Sequence, residues 1–180
     1  MSETTAELVV LLDDDGNPIG TADKATVHHS KTPLHLAFSA HIFNAEGKVL
    51  VTRRALGKKT WPGVWTNSVC GHPGPGESME EAIARRAAFE VGVELGDITI
   101  ALPDFRYRAI DASGVVENEV CPVYTARAIG EPRPRDAEVS EWAWLEPKDF
   151  ATAVRNAPVA FSPWLVSQLE QWPGDYAPAD

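Results

Sequence analysis

Cysteine is scarce: Cys70 and Cys121 are the only two in 180 residues. That is too few for a disulfide scaffold and suggests a reducing, cytoplasmic setting. No apolar run approaches the roughly 20 residues that a bilayer span needs. The opening MSETTAELVV is acidic and lacks the basic leader of a signal peptide. Positive charge is in deficit, with a net charge of −10, which argues against nucleic acid or an anionic membrane as the main partner. A phosphate ligand would need a local basic cluster. Internal repeats and linkers are missing as well. The length suffices for one domain with a substantial core. That domain spans 1–180, with a core over about 33–168, N-terminal strands over 7–22 and a tail, 172–180, expected to fray.

The pattern reads as strand hairpins interleaved with helices. LVVLLDDDGNPIGTA is strand, turn, strand, because its middle is dense in turn formers. ADKATVHHS has room for one helical turn. In LHLAFSAHIFN, Leu34, Leu36, Phe38, Ala40 and Ile42 point one way and His35, Ala37, Ser39 and His41 the other. NAEGK is a turn and KVLVTRRA the returning strand. TNSVCG is a short strand. ITIALPDFRYRAI and VVENEVCPVYTARAI flank DASG as a second hairpin, and EVSEWAWL alternates as a further strand. PKDFATAVRNA and SPWLVSQLEQW open on prolines suited to a first helical turn, the second with Ser162 as its cap. The fold class is α/β: a mixed sheet sandwiched between helices, with an added N-terminal hairpin.

The helix SMEEAIARRAAFEV has the clearest signature. Ala82, Ile83, Ala87 and Val91 form an apolar stripe with Met79 near its start. Glu80 and Glu81 sit where the helix dipole favours them, and Gly92 follows the last periodic residue. Arg86 and Glu90 share one face. A helix bearing an acid and a base beside a glycine turn can hold a metal and a phosphate.

Other groups carry chemistry only in combination. Glu117 and Glu119 leave the same face of one strand. With His35, His72 and either His28 or His29, they would suit a divalent ion with mixed nitrogen and oxygen ligands. His41 is assigned to solvent or the sheet surface. Arg53, Arg54, Lys58 and Lys59 place four cations in seven residues, enough to focus a diphosphate in an acidic protein. Cys121 reads as a core residue. Cys70, in Val-Cys-Gly-His, stands where a proton could be tuned. Tyr107 and Trp164 would ordinarily be packing residues.

Gly71, Glu77, Arg85, Ala87, Glu90, Gly92 and Val93 resemble the Nudix box, G-x5-E-x7-R-E-U-x-E-E-x-G-U, which binds divalent metal and diphosphate. Arg86 and Phe89 replace two of its carboxylates, the groups that gather hydrolytic metals. LHLAF, LVTRRALGKK, WPGVWTNSVCGHP, PDFRYRA, VENEVCPV and AFSPW resemble the type 1 isopentenyl-diphosphate isomerases, a family of Nudix fold. That resemblance runs from about Leu8 to Gln168.

The resemblance implies interconversion of isopentenyl and dimethylallyl diphosphate, with Cys70 and Glu119 as the acid–base pair. Tyr107 would assist Glu119, and Trp164 would offer its ring face to a carbocation. It implies one Mn²⁺ or Zn²⁺, or Mg²⁺, on His28, His35, His72, Glu117 and Glu119. His28 is favoured over His29 by its spacing to Lys24 and His35. It further implies Mg²⁺ brought with the substrate, near Glu90 and the Cys70 carbonyl, and a diphosphate held by Lys24, Arg54, Lys58 and Arg86. The expected assembly is a monomer or weak homodimer.

Overall fold

The structure is a computed structural model, described here over residues 7–178. Its strands fall into two sheets. One has the order β2-β1-β3-β10-β9, built from β1 (Leu8–Leu12), β2 (Pro18–Asp23), β3 (His35–Leu36), β9 (Arg106–Ile110) and β10 (Val116–Val120). The other has the order β12-β5-β4-β11-β8, from β4 (Phe38–Phe43), β5 (Val49–Arg54), β8 (Glu94–Leu102), β11 (Val123–Ile129) and β12 (Val139–Leu145). Two short strands extend it: β6 (Trp65–Thr66) pairs with β5, and β7 (Val69–Gly71) pairs with β4. The helices are a single turn, α1 (Lys24–Val27), then α2 (Met79–Glu90), α3 (Pro147–Asn156) and α4 (Pro163–Glu170).

The alternation along β4 separates two cores, and both are buried. Phe38, Ala40 and Ile42 pack with Ala82, Ile83 and Ala87 of α2. Phe43 and, just ahead of β4, Ala37 join Phe150 and Val154 of α3 and Trp164 and Leu165 of α4. The second sheet is thus held between helices, as the sequence pattern implied.

His41 corrects the sequence reading. It is fully buried, because α4 and the chain end cover the polar side of β4. Its Nε2 lies 2.9 Å from Gln168 Oε1 and its Nδ1 2.6 Å from the Tyr176 hydroxyl. The tail departs from expectation for the same reason. Trp172 and Tyr176 pack on the second core, with the Tyr176 ring 6.1 Å from that of Phe150. Residues 179–180 of that tail lie outside the described part.

The second hairpin is also smaller than the sequence suggested. DASG joins β9 to β10, but β8 lies in the other sheet and pairs with β11. Each long apolar stretch breaks at a proline, Pro103 or Pro122, which cannot donate to a ladder. The chain therefore changes sheet three times, between β3 and β4, between β8 and β9 and between β10 and β11. The first and last crossings run side by side in parallel, joined by Ala37 N–H to Val120 O at 2.9 Å and Ser39 N–H to Pro122 O at 3.1 Å.

The N-terminus of α2 is closed by a capping box: Ser78 accepts from the Glu81 amide, and the Glu81 carboxylate accepts from the Ser78 amide. At its other end Gly92 turns with φ +63°, and a Cβ there would lie 2.3 Å from Arg133 O. Ser162 occupies the cap position of α4 but bonds elsewhere, its hydroxyl 2.7 Å from that of Thr66.

Candidate active site

The site lies where the chain changes sheet. Strand register puts Glu119 opposite His35 on one side and Tyr107 on the other. Next along, β7 sets Cys70 opposite Ser39 and Gly71 opposite Phe38. Gly71 must be glycine for a steric reason. A Cβ would come within 2.8 Å of Arg86 Cγ and 2.9 Å of the Phe38 ring.

One imidazole from each of three segments converges on Glu119. His28 follows α1, His35 begins β3 and His72 follows β7. With Glu119 they offer four ligand atoms within 4.8 Å of one another. His35 Nε2 and His72 Nε2 are 3.3 Å apart and lie 3.3 Å and 3.0 Å from Glu119 Oε1. Among the described residues, His28 Nε2 makes no well-formed hydrogen bond although buried. Buried imidazole nitrogens facing a carboxylate with bonds left open suit a divalent cation. Glu117 is outside that group of four. Its Oε2 is 3.0 Å from His28 Nε2, and its Oε1 accepts from the Thr60 hydroxyl at 2.9 Å. His29 points away and is exposed, its Nδ1 accepting from the Lys31 amide.

The charge states follow from these contacts. Burial alone would raise the Glu119 pKa, but bonds to His28, His35 and His72 hold it well below the usual carboxylate range. For His28 burial favours the neutral ring, yet Glu117 and Glu119 outweigh it and raise the pKa to about 9. Tyr107 donates to Glu119 Oε2 at 2.9 Å, and burial keeps its phenol pKa well above the usual value. Burial pushes the Cys70 thiol up to about 11, against hydrogen bonds from Ser39 and Asn67. Cys70 is therefore a proton-bearing thiol at neutral pH.

These residues share one cavity of about 800 Å³. Cys70, Glu119, Tyr107 and Trp164 stand in its wall with His28, His72 and Glu117, and Lys24, Arg54, Lys58, Arg86 and Glu90 line it as well. His35 lies behind the wall, fully buried. Each cation is already held. Lys24 pairs with Glu7 at 2.5 Å, Lys58 with Glu138 and Arg86 with Glu90. Arg54 donates to the Thr60 and Trp61 carbonyls. Arg86 is buried, and its Nε has no partner among the described residues. Trp164 donates from Nε1 to Asn67 Oδ1 at 3.1 Å, and the Arg54 guanidinium stands 5.4 Å from its ring centre.

Sequence reasoning missed several members of this wall and a residue behind it. Thr60 in the wall, and Asn67, buried behind it and bonded to Cys70 and Trp164, are short polar residues in segments read only as strand or turn. Glu138 lies in a loop far along the chain. Lys59 was seen as one of a basic run, but its bond to the His28 carbonyl at 2.6 Å had no signal. Phe89 did have one, as a departure from the box.

Residues 33–165 match the NUDIX domain family. Several similar proteins are named isopentenyl-diphosphate Delta-isomerase. That of Agromyces mediolanus is 62% identical over 94% of this chain and 82% of its own length. That of Leifsonia xyli subsp. xyli is 64% identical over 91% and 89%. That of Kocuria rhizophila is 59% identical over 95% and 96%. Among solved structures, a Deinococcus radiodurans protein has TM-score 0.69 at 21% identity, over 92% of this chain and 99% of its own. A MutT protein from Methanosarcina mazei Go1 has TM-score 0.59 at 20% identity, over 77% and 92%. These two share the fold. The chain belongs to the NUDIX family and, within it, to the isopentenyl-diphosphate Delta-isomerases. Among the described residues no helix is long and apolar enough to cross a membrane.

Proposed function

We propose that this protein interconverts isopentenyl diphosphate and dimethylallyl diphosphate, adding a proton at one end of the reacting unit and removing one at the other. The intermediate is a tertiary carbocation. One observation carries the reading: a single cavity holds Cys70 and Glu119 in its wall and Lys24, Arg54, Lys58 and Arg86 along its lining. An unactivated alkene is a poor base, so the reaction needs a placed acid in a shielded pocket.

Cys70 and Glu119 form the acid–base pair, on opposite faces of the substrate. One gives a proton to the double bond, which forms the cation; the other then takes a proton from a neighbouring carbon, and exchange with solvent resets both. Tyr107, donating to Glu119, fixes the carboxylate and its charge. The Trp164 ring, which already faces the Arg54 cation, presents the same π surface to the carbocation. The four basic side chains take the diphosphate, the unpartnered Nε of Arg86 offering a donor to a phosphate oxygen. Mn²⁺ or Zn²⁺ on His28, His35, His72 and Glu119, with Glu117 beside it, would supply fixed positive charge next to Glu119, and Mg²⁺ near Glu90 and the Cys70 carbonyl would neutralise the diphosphate.

The test is incubation with isopentenyl diphosphate and Mg²⁺, followed by proton and phosphorus NMR. A double-bond shift supports the isomerase. Released phosphate would make the protein a diphosphohydrolase, and no turnover a non-catalytic binding module. Cys70→Ala should lose at least about 10² in rate, the usual worth of an acid–base group. Cys121→Ala should lose far less, and equal activities in the two variants would make Cys70 structural.

A further inference from the structure

Behind Cys70 runs a line of buried polar groups that reaches the chain end. Ser39 Oγ is 3.2 Å from Cys70 Sγ, and Gln168 Nε2 is 2.8 Å from Ser39 Oγ. Gln168 Oε1 is 2.9 Å from His41 Nε2, and His41 Nδ1 is 2.6 Å from the Tyr176 hydroxyl. Ser39, His41 and Gln168 are each fully buried. Buried polar groups complete their bonds within the protein, so the protons in this line are constrained.

The constraint gives the line a direction. A carboxamide oxygen only accepts, so His41 carries its proton on Nε2 and donates to Gln168. The other nitrogen, Nδ1, is then an acceptor, and the Tyr176 hydroxyl donates to it. The Gln168 amide donates to Ser39 Oγ. The Ser39 hydroxyl proton is left to point onward, towards Cys70 Sγ at 3.2 Å rather than Cys121 Sγ at 3.5 Å. Burial agrees with both ends, lowering the His41 pKa to about 4 and raising that of Tyr176 well above its usual value.

We infer that Tyr176, His41, Gln168 and Ser39 are positioning residues, a one-way chain of donors that ends on the Cys70 sulfur and supports the charge there whenever the thiol has given up its proton. The inference rests on the reading of Cys70 as an acid–base group. It also gives the packed tail a role, because the Tyr176 hydroxyl donates to the nitrogen that His41 leaves as an acceptor and so completes the chain at its outer end. Gln168 is the point at which the direction can be reversed. A carboxylate there would accept from both neighbours and turn the Ser39 proton away from Cys70.

The experiment joins steady-state kinetics to nitrogen-15 NMR of the histidines in the full chain. Ser39→Ala and Gln168→Glu should each lower kcat about tenfold with KM nearly unchanged, and Tyr176→Phe severalfold, the scale of one lost hydrogen bond. A structural role would instead lower activity only as the folded fraction falls, which the melting temperature reports. Wild-type His41 should be neutral with its proton on Nε2. A proton on Nδ1, or wild-type kcat in folded Ser39→Ala and Tyr176→Phe, would overturn the chain. Full activity in Cys70→Ala would overturn the reading of Cys70 itself. The NMR result stands apart from that outcome, so the two failures are distinguishable.

Discussion

His41 should make the fold sensitive to acid. The perturbation is a fall in pH from 7 to 4, in wild type and in His41→Asn. In the unfolded chain the imidazole titrates near its ordinary value of 6.5; in the fold burial lowers it to about 4. The unfolded state therefore binds the proton first, and stability falls as pH drops from 6.5 through 4. The gap between the two values corresponds to about 3 kcal/mol, since each pH step is worth about 1.4 kcal/mol. About 2 kcal/mol of it should be gone by pH 5. No discount for solvent screening applies, because the ring is fully buried.

Urea unfolding followed by tryptophan fluorescence, repeated across this range, gives the two stability curves. The variant starts lower, because it loses the ring's bonds to Gln168 and Tyr176, but that offset is constant. Every other group is common to both proteins and cancels in the difference. The difference curve should therefore close by about 2 kcal/mol between pH 7 and pH 5. Parallel curves would refute the picture of a buried, neutral His41 and, with it, the direction assigned to the chain of donors.

Three further outcomes are expected. Wild type should retain a divalent ion through dialysis, whereas His35→Ala and Glu119→Gln should show it depleted by elemental analysis; full retention in both would refute the metal site. Gly92→Ala should cost about 2 kcal/mol or more by denaturant unfolding, since it combines a strained positive φ with a Cβ 2.3 Å from Arg133 O; an unchanged midpoint would show that the turn relaxes freely. Activity should fall from wild type to Trp164→Phe to Trp164→Leu by up to about 30-fold, the worth of about 2 kcal/mol of cation–π stabilisation; activity that tracks melting temperature would reduce Trp164 to packing.

What the sequence revealed depended on whether a signal was local. The α2 helix was legible from its stripe and its glycine stop, and the DASG turn from its composition. The converging histidines were not visible as a cluster. His28, His35 and His72 lie on three segments, and only strand pairing brings the latter two to Glu119. His41 was misread because alternation reports that a strand has two faces, not that both are covered. Its cover comes from Gln168 and Tyr176, more than 120 positions away. The sheet change at Cys121–Pro122 was hidden for a related reason. A long alternating stretch looks like one strand until its partners are known. Asn67 had no signal at all, since a lone asparagine in a strand-like segment looks like a turn residue.

The two departures from the box become one device in three dimensions. Arg86 replaces a carboxylate, and Phe89 replaces another one turn-face away. The Phe89 ring lies under the Arg86 guanidinium at 5.0 Å and under that of Arg135 at 4.2 Å. Of the box carboxylates that remain, Glu77 and Glu90, the second pairs with Arg86. Gly71, with no Cβ, lets the Arg86 stem pass. A side chain held by an aromatic face, a carboxylate and a bare backbone has little freedom left to lose on binding, so a diphosphate would meet a preformed cation rather than order a loose one. The same two changes remove negative charge where hydrolytic metals would have to gather. The proposed site, which would hold a diphosphate without cleaving it, needs both effects, and a single helical turn would supply them.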